Sequence, residues 1–170
     1  AGANAVPAVC AAGETVVDAF RDRFDGGIAA NWDGTADRWY SSADASPDGA
    51  VMQWPTSSST NARGLDVGTP GIAELTQKSA VAIPTGAYLR FDSWYSFEGD
   101  GIDNFDAGVV EYSIDGGSTW VDIGSLTAVN GYSGTIDTHN YSDSPLKGRS
   151  GFVAASNGAR TTRIDLSSLA

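Results

Sequence analysis

The sequence predicts an all-β chain: an antiparallel β-sandwich, jelly-roll-like, in a single domain with long polar loops. Three observations carry this expectation. Stretches in which residues alternate between two faces recur at strand length. Gly, Ser, Asn and Asp gather between them, at roughly residues 33–50, 55–72, 98–107 and 124–158. Helical periodicity is weak throughout, and short strands joined by long polar loops are the pattern of sandwiches and jelly rolls.

Taken in order, residues 1–17 read as a flexible N-terminal segment or linker and 18–170 as the β-sandwich module. The start, A-G-A-N-A-V-P-A-V-C, has neither the basic nor the apolar region of a signal peptide and looks like a segment left after processing. Residues 14–24 hold the best helical spacing, with Val17, Phe20, Arg21 and Phe24 three to four apart. The same stretch also reads as an irregular lead into a strand. A strand is expected within 75–83. Along 86–97, Tyr88, Arg90, Asp92 and Trp94 fall on one side, and Leu89, Phe91, Ser93 and Tyr95 on the other. Along 106–114, Val110, Tyr112 and Ile114 oppose Val109, Glu111 and Ser113. Residues 119–123 return after D-G-G-S, so 108–123 reads as a hairpin. Residues 161–166 form another short strand.

A chain of 170 residues with 41% hydrophobic content can bury one sizeable core. The net charge of −11 argues against nucleic acid and against an anionic membrane surface, both of which need basic residues. No apolar run approaches the roughly 18 residues that span a bilayer. Strong acidity suits a secreted protein, or one whose carboxylates hold hard cations. Cys10 is alone and closes no internal disulfide: it reads as a free thiol in a tail or as half of a pair with a partner elsewhere.

S-I-D-G-G-S-T-W (113–120) matches the Asp-box best known from sialidases. In such a box the Asp accepts amides of its own turn, glycine takes the backbone angle other residues resist, and Trp packs under the hairpin. Here those are Asp115, Gly117 and Trp120. A sialidase needs several propeller blades and clustered arginines, whereas this chain carries one box. The motif is expected to make a stable turn.

Candidate chemistry lies in two places. The loop E-G-D-G-I-D-N-F-D (98–106) packs Glu98, Asp100, Asp103, Asn104 and Asp106 together. It reads either as a solvated acidic loop or as a Ca²⁺ site, with Glu98, Asp103 and Asp106 the metal candidates. Trp32, Trp39, Tyr40, Trp54, Trp94 and Tyr95 read either as core and ordinary surface aromatics or as a sugar-stacking platform. Trp39, Tyr40 and Trp54, in Ser-rich surroundings, are the ligand-binding candidates. No catalytic residue is assigned. His139 is the one histidine and reads as a loop residue, with no H-E-x-x-H and no G-x-S-x-G. Nothing singles out a glycosidase pair among the 21 acidic residues. N-Y-S (140–142) is a formal glycosylation sequon.

F-R-D-R-F-D-G-G-I-A-A-N-W (20–32), L-R-F-D-S-W-Y-S-F-E (89–98), F-D-A-G-V-V-E-Y-S-I-D-G-G-S-T-W (105–120), N-G-Y-S-G-T-I (130–136), S-P-L-K-G-R-S-G-F (144–152) and T-R-I-D-L-S-S-L-A (162–170) occur in an order and spacing that carry a resemblance. Together they resemble the MAM-like jelly-roll accessory module found beside secreted bacterial metalloproteases of the immune inhibitor A and fungalysin-associated types. The resemblance implies a secreted, extracellular, non-catalytic module. It would bind or position a substrate, polysaccharide, extracellular protein or the neighbouring catalytic domain, with structural Ca²⁺. It also implies Asp25 as a metal ligand, since an acidic residue near the start of such modules helps hold a cation against the last strand. The family continues past L-S-S-L-A with two further strands, so the resemblance implies either that these strands are missing here or that a partner chain supplies them, and with them a lost disulfide partner for Cys10. A free-standing carbohydrate-binding or adhesion module is the alternative, and a glycosidase a third reading.

Overall fold

The computed structural model describes residues 10, 12–34, 38–42, 51–52, 61–64, 71–139 and 144–170. Trp54 and the 140–142 sequon lie outside the described residues. So do most of residues 1–17 assigned to the N-terminal segment.

The all-β expectation holds. The described strands are β1 (Trp32–Gly34), β2 (Trp39–Ser42), β3 (Val51–Met52), β4 (Asn61–Gly64), β5 (Leu75–Gln77) and β6 (Tyr88–Ser93) in the first half. The second half holds β7 (Glu111–Tyr112), β8 (Val121–Asp122), β9 (Ala128–Val129), β10 (Gly134–Thr135), β11 (Ser150–Gly151) and β12 (Arg160–Asp165). All pairings between them are antiparallel: β1–β5, β2–β4–β3, β6–β12–β9, β7–β8 and β10–β11. Among the described residues the only helical turns are 3-10 turns at Ile28–Ala30, Ile123–Ser125 and Ser167–Leu169. No helix among them is long and apolar enough to cross a membrane.

The longest pairing joins β6 to β12, from Tyr88 opposite Asp165 to Ser93 opposite Arg160. Alternation in β6 works as expected on one face, with Leu89 and Phe91 half-buried and Ser93 buried. On the other face Tyr88 and Arg90 are exposed while Asp92 is buried, taking a hydrogen bond from Thr161 Oγ1 across the pair. The 108–123 hairpin also forms, through Glu111 opposite Asp122 and Tyr112 opposite Val121.

Residues 14–24 form no helix. They run in extended and bent backbone, organised by one carboxylate. Asp22 Oδ1 accepts the Phe24 amide at 2.7 Å, while Oδ2 accepts Asn31 Nδ2 at 2.9 Å and Trp32 Nε1 at 2.8 Å. Phe24 thereby sits at φ 60, a left-handed conformation that a helix cannot contain. A short polar side chain that bonds nearby backbone competes with the helix ladder, and here it wins.

Apolar packing gathers in two places. Phe24, Ile28 and Ala62 are buried together, with Trp32, Trp39 and Leu75 packed against them. Farther along the chain Phe152 is the hub of an aromatic group. Its ring lies 5.1 Å from Tyr132, 5.6 Å from Tyr95 and 6.0 Å from Phe91, centroid to centroid. Ile123, Ile136, Val153 and Ile164 are also buried.

Trp120 is not buried as expected: it is 48% exposed, with its ring over its own turn, where a Cβ on Gly117 would come within 3.8 Å of it. Ile114, expected on one side of a half-buried strand with Val110 and Tyr112, is 76% exposed. Only two residues on each side pair before the turn, so Ile114 and the residues up to Trp120 belong to the turn and not to the ladder.

Candidate functional site

The Asp-box is a turn device in this chain. Asp115 Oδ1 accepts the Thr119 amide at 2.9 Å and Oδ2 accepts Thr119 Oγ1 at 2.6 Å. Ser113 Oγ donates to Asp115 Oδ1 at 2.8 Å and accepts the Gly117 amide at 2.8 Å. Gly116 and Gly117 take φ 74 and 89, which close the loop at no steric cost. The Thr119 hydroxyl, then its amide, then the Ser113 hydroxyl hold the Asp115 carboxyl down to about 2. The side chains of Ser113, Asp115, Ser118 and Thr119 all bond within the turn.

A cleft of about 410 Å³ opens beside the first apolar cluster, lined by Trp32, Trp39, Tyr40, Asp33 and Lys78 among others. Its aromatic walls are held from behind. Trp32 is fixed by its bond to Asp22 and by edge contact with Phe20 at 6.1 Å. Trp39 lies against Gly64, where a Cβ would come within 3.3 Å of the indole. Ser41 accepts the Ile28 amide at 3.0 Å and ties β2 to the 3-10 turn. Lys78 donates to the Ala29 carbonyl at 2.6 Å and stands 3.7 Å from Asp33. The buried Trp39 Nε1 has no hydrogen-bond partner among the described residues. Trp39 and Tyr40 are consecutive in β2, so the pleat sends their rings to opposite faces. Tyr40 is 38% exposed, and the two rings do not make one flat platform.

The acidic loop closes on itself. Gly99 bridges Asn104, and the Glu98 carbonyl accepts the Phe105 and Asp106 amides. Asp100 Oδ1 accepts the amides of Asp103 and Ile102 at 2.8 and 2.9 Å, which lower its pKa in that order. The loop lies against the segment after β10, where the Asp137 amide donates to the Asn104 carbonyl at 2.8 Å. Asn104 Nδ2 returns a bond to the Thr135 carbonyl at 3.1 Å.

This contact brings Asp103 to two residues assigned no site role by sequence. Ligand-type atoms of Asp103, Asp137 and His139 all lie within 4.8 Å of one another, the one such group among the described residues. His139 Nδ1 is 2.5 Å from Asp137 Oδ1 and 3.7 Å from Asp103 Oδ2. The carboxylate can only accept, so Nδ1 carries the proton. The Asp137 side chain is 3% exposed. Burial pushes its pKa up, but the His139 amide, the His139 ring and the Thr138 amide outweigh this, and the pKa is lowered overall. Asp137 Oδ2 meets no donor among the described residues.

Of the expected metal residues, then, only Asp103 belongs to this group. Glu98 and Asp106 stay elsewhere on the loop, and Asp25 is exposed in the turn after Phe24. Among the described residues Asp92 is the other buried carboxylate with an unpartnered oxygen, and it belongs to no such group there. No spacing rule points to Asp137 and His139, because their partner lies more than thirty residues away in sequence. The single available signal was D-T-H itself, an acid two residues before the one histidine.

The fold and its sites define an all-β chain with an aromatic cleft and a mixed carboxylate–imidazole group. Comparison with family models, curated proteins and solved structures gives no match.

Proposed function

We propose that this chain is a non-catalytic accessory module of a secreted bacterial hydrolase, of the metalloprotease-associated kind its motifs resemble. It engages substrate or a cell surface through the cleft at Trp32, Trp39 and Tyr40. The cleft carries the reading. Trp32 and Trp39 are held from behind, and the rim offers a carboxylate and an amine for orienting polar groups, the usual division of labour in a binding site. A structural cation on the 98–106 loop is part of the same reading, with Ca²⁺ the ion expected from its carboxylates. Melting curves in Ca²⁺ and in EDTA test that part.

The same cleft favours a second reading, a free-standing carbohydrate-binding module, since aromatic rings beside polar groups suit the apolar faces and hydroxyls of a sugar. Titrating the chain against a soluble polysaccharide panel and against denatured protein substrate separates the two. Binding to either that weakens at least about tenfold in Tyr40→Ala or Lys78→Ala places the ligand in the cleft. No binding to either class, or binding indifferent to both substitutions, overturns the cleft as the binding site.

A further inference from the structure

We propose that Asp103, Asp137 and His139 form a binding site for a divalent transition ion of the zinc class. This inference stands independently of the cleft, and it gives the cation of the 98–106 loop to the zinc class in place of Ca²⁺. Two observations carry it. The first is the donor set: one imidazole nitrogen and two carboxylates converge within 4.8 Å. The second is Asp137 Oδ2. The residue is more than nine-tenths buried, and this oxygen meets no donor among the described residues. A carboxyl oxygen withdrawn from water and left unpaired is costly, and native structures compensate such groups. It shares its carbon with Oδ1, which is 2.5 Å from the imidazole nitrogen, and a cation held by this carboxylate together with His139 would compensate it.

The spacing fits. Bonds of about 2.0–2.1 Å in a tetrahedron set ligand atoms roughly 3.3 Å apart. The present separations from His139 Nδ1, 2.5 Å to Asp137 and 3.7 Å to Asp103, lie on either side of that value. Small side-chain rotations would suffice. The proton now held between Nδ1 and Asp137 Oδ1 leaves to solvent on binding, as it must before an imidazole nitrogen can ligate. The backbone beneath is already set. The Asp137 amide is bound by Asn104, the Ile136 amide donates to Arg149, and Lys147 Nζ donates to the His139 carbonyl.

Donor chemistry selects the ion. Ca²⁺ asks for about six to eight oxygens in a roomy shell. One imidazole with two carboxylates is a set that zinc-class ions take, with a fourth position left for water or an anion. The ion would latch the 98–106 loop onto the segment after β10.

The test uses the whole 170-residue chain with Cys10→Ser, so that the thiol cannot hold the metal. ZnCl₂ and CaCl₂ are each titrated calorimetrically, and melting is followed with and without each ion. The expected result is one Zn²⁺ per chain and a raised melting temperature. Both should weaken by at least about tenfold in affinity, or vanish in the melt, for His139→Ala and for Asp103→Asn. Asp137 is buried and Asp137→Asn is open to folding defects, so the other two variants carry the test. The His139 side chain is 60% exposed, and its truncation leaves the fold intact, which the metal-free melt verifies. Absence of Zn²⁺ binding overturns the proposal. So does Zn²⁺ binding unchanged in His139→Ala, or a site that takes Ca²⁺ as tightly as Zn²⁺ and ignores that substitution.

Discussion

Glu111 and Asp122 stand directly opposite each other in the β7–β8 pair, two like charges across one rung of a ladder. Such a pairing is destabilising by itself. Arg149, from the far side of the chain just before β11, resolves it. Its Nη2 reaches Glu111 Oε1 at 2.6 Å and Asp122 Oδ2 at 2.5 Å. The hydrogen bond to Asp122, less the cost of burial and with the bond and charge of Glu111 added, raises the arginine's pKa. One guanidinium thus pins the projecting hairpin to the β10–β11 pair.

Arg149→Met should therefore cost more than an ordinary surface pair. It leaves two carboxylates facing each other, and the loss should be about 1–2 kcal/mol at low salt, measured by urea denaturation. Raising ionic strength screens both the lost attraction and the exposed repulsion, so the gap between variant and parent should narrow. A gap that is constant with salt would mean that Arg149 acts through packing of its stem and not through charge.

The Asp-box gives a prediction with a definite direction in pH. The Asp115 carboxyl is held at about 2, below its unfolded value. A group depressed in the folded state contributes stability above its unfolded pKa and loses it as pH falls through its folded pKa. The turn should thus stay ordered at neutral pH and loosen between about pH 4 and pH 2. Carboxyl NMR titration of Asp115 should show a midpoint near the lower limit, and Thr119→Val, which removes the first cause, should move it upward. An ordinary midpoint in the parent would show that the Thr119 and Ser113 bonds are not made in solution.

Two aromatic truncations should separate decoration from core. Trp120→Ala, at an exposed ring, should cost about 1 kcal/mol or less. Phe152→Ala removes the hub of three ring contacts at a site 6% exposed, and should cost about 3–5 kcal/mol. Denaturant midpoints of the two variants decide the ranking, and a reversed order would mean that the hairpin folds back onto the body of the protein.

What sequence reveals and hides here follows the range of the interactions. Alternation locates β6, the motif locates the turn at 113–120, and both are local patterns. The partner of β6 is β12, some seventy residues on, and no pattern within either strand names it. Trp120 looks buried from sequence because a tryptophan in a hairpin usually is, but its burial depends on what lies beneath a turn that here projects outward. The acidic loop is obvious in composition, yet its one residue in a ligand-like group gets there through a contact with Asp137 and His139. Consecutive aromatics at Trp39 and Tyr40 suggest a platform, and the pleat divides them.

Asp22 is the sharpest case of a residue hidden in plain view, since nothing in F-R-D-R-F-D distinguishes it from Asp25. It accepts from Phe24, Asn31 and Trp32, and so sets the left-handed turn at Phe24 as well as one wall of the cleft. Asp22→Ala would leave three donors without their acceptor in partly buried surroundings, and should cost about 2–3 kcal/mol. Phe24 would lose the bond that favours its unusual backbone angle, so the first apolar cluster should loosen with it. Tryptophan emission should shift to the red as Trp32 gains access to water, before global unfolding. Asp22→Asn keeps one acceptor oxygen and should recover part of the loss. Equal melting temperatures for parent and Asp22→Ala would show that this carboxylate decorates the turn without holding it.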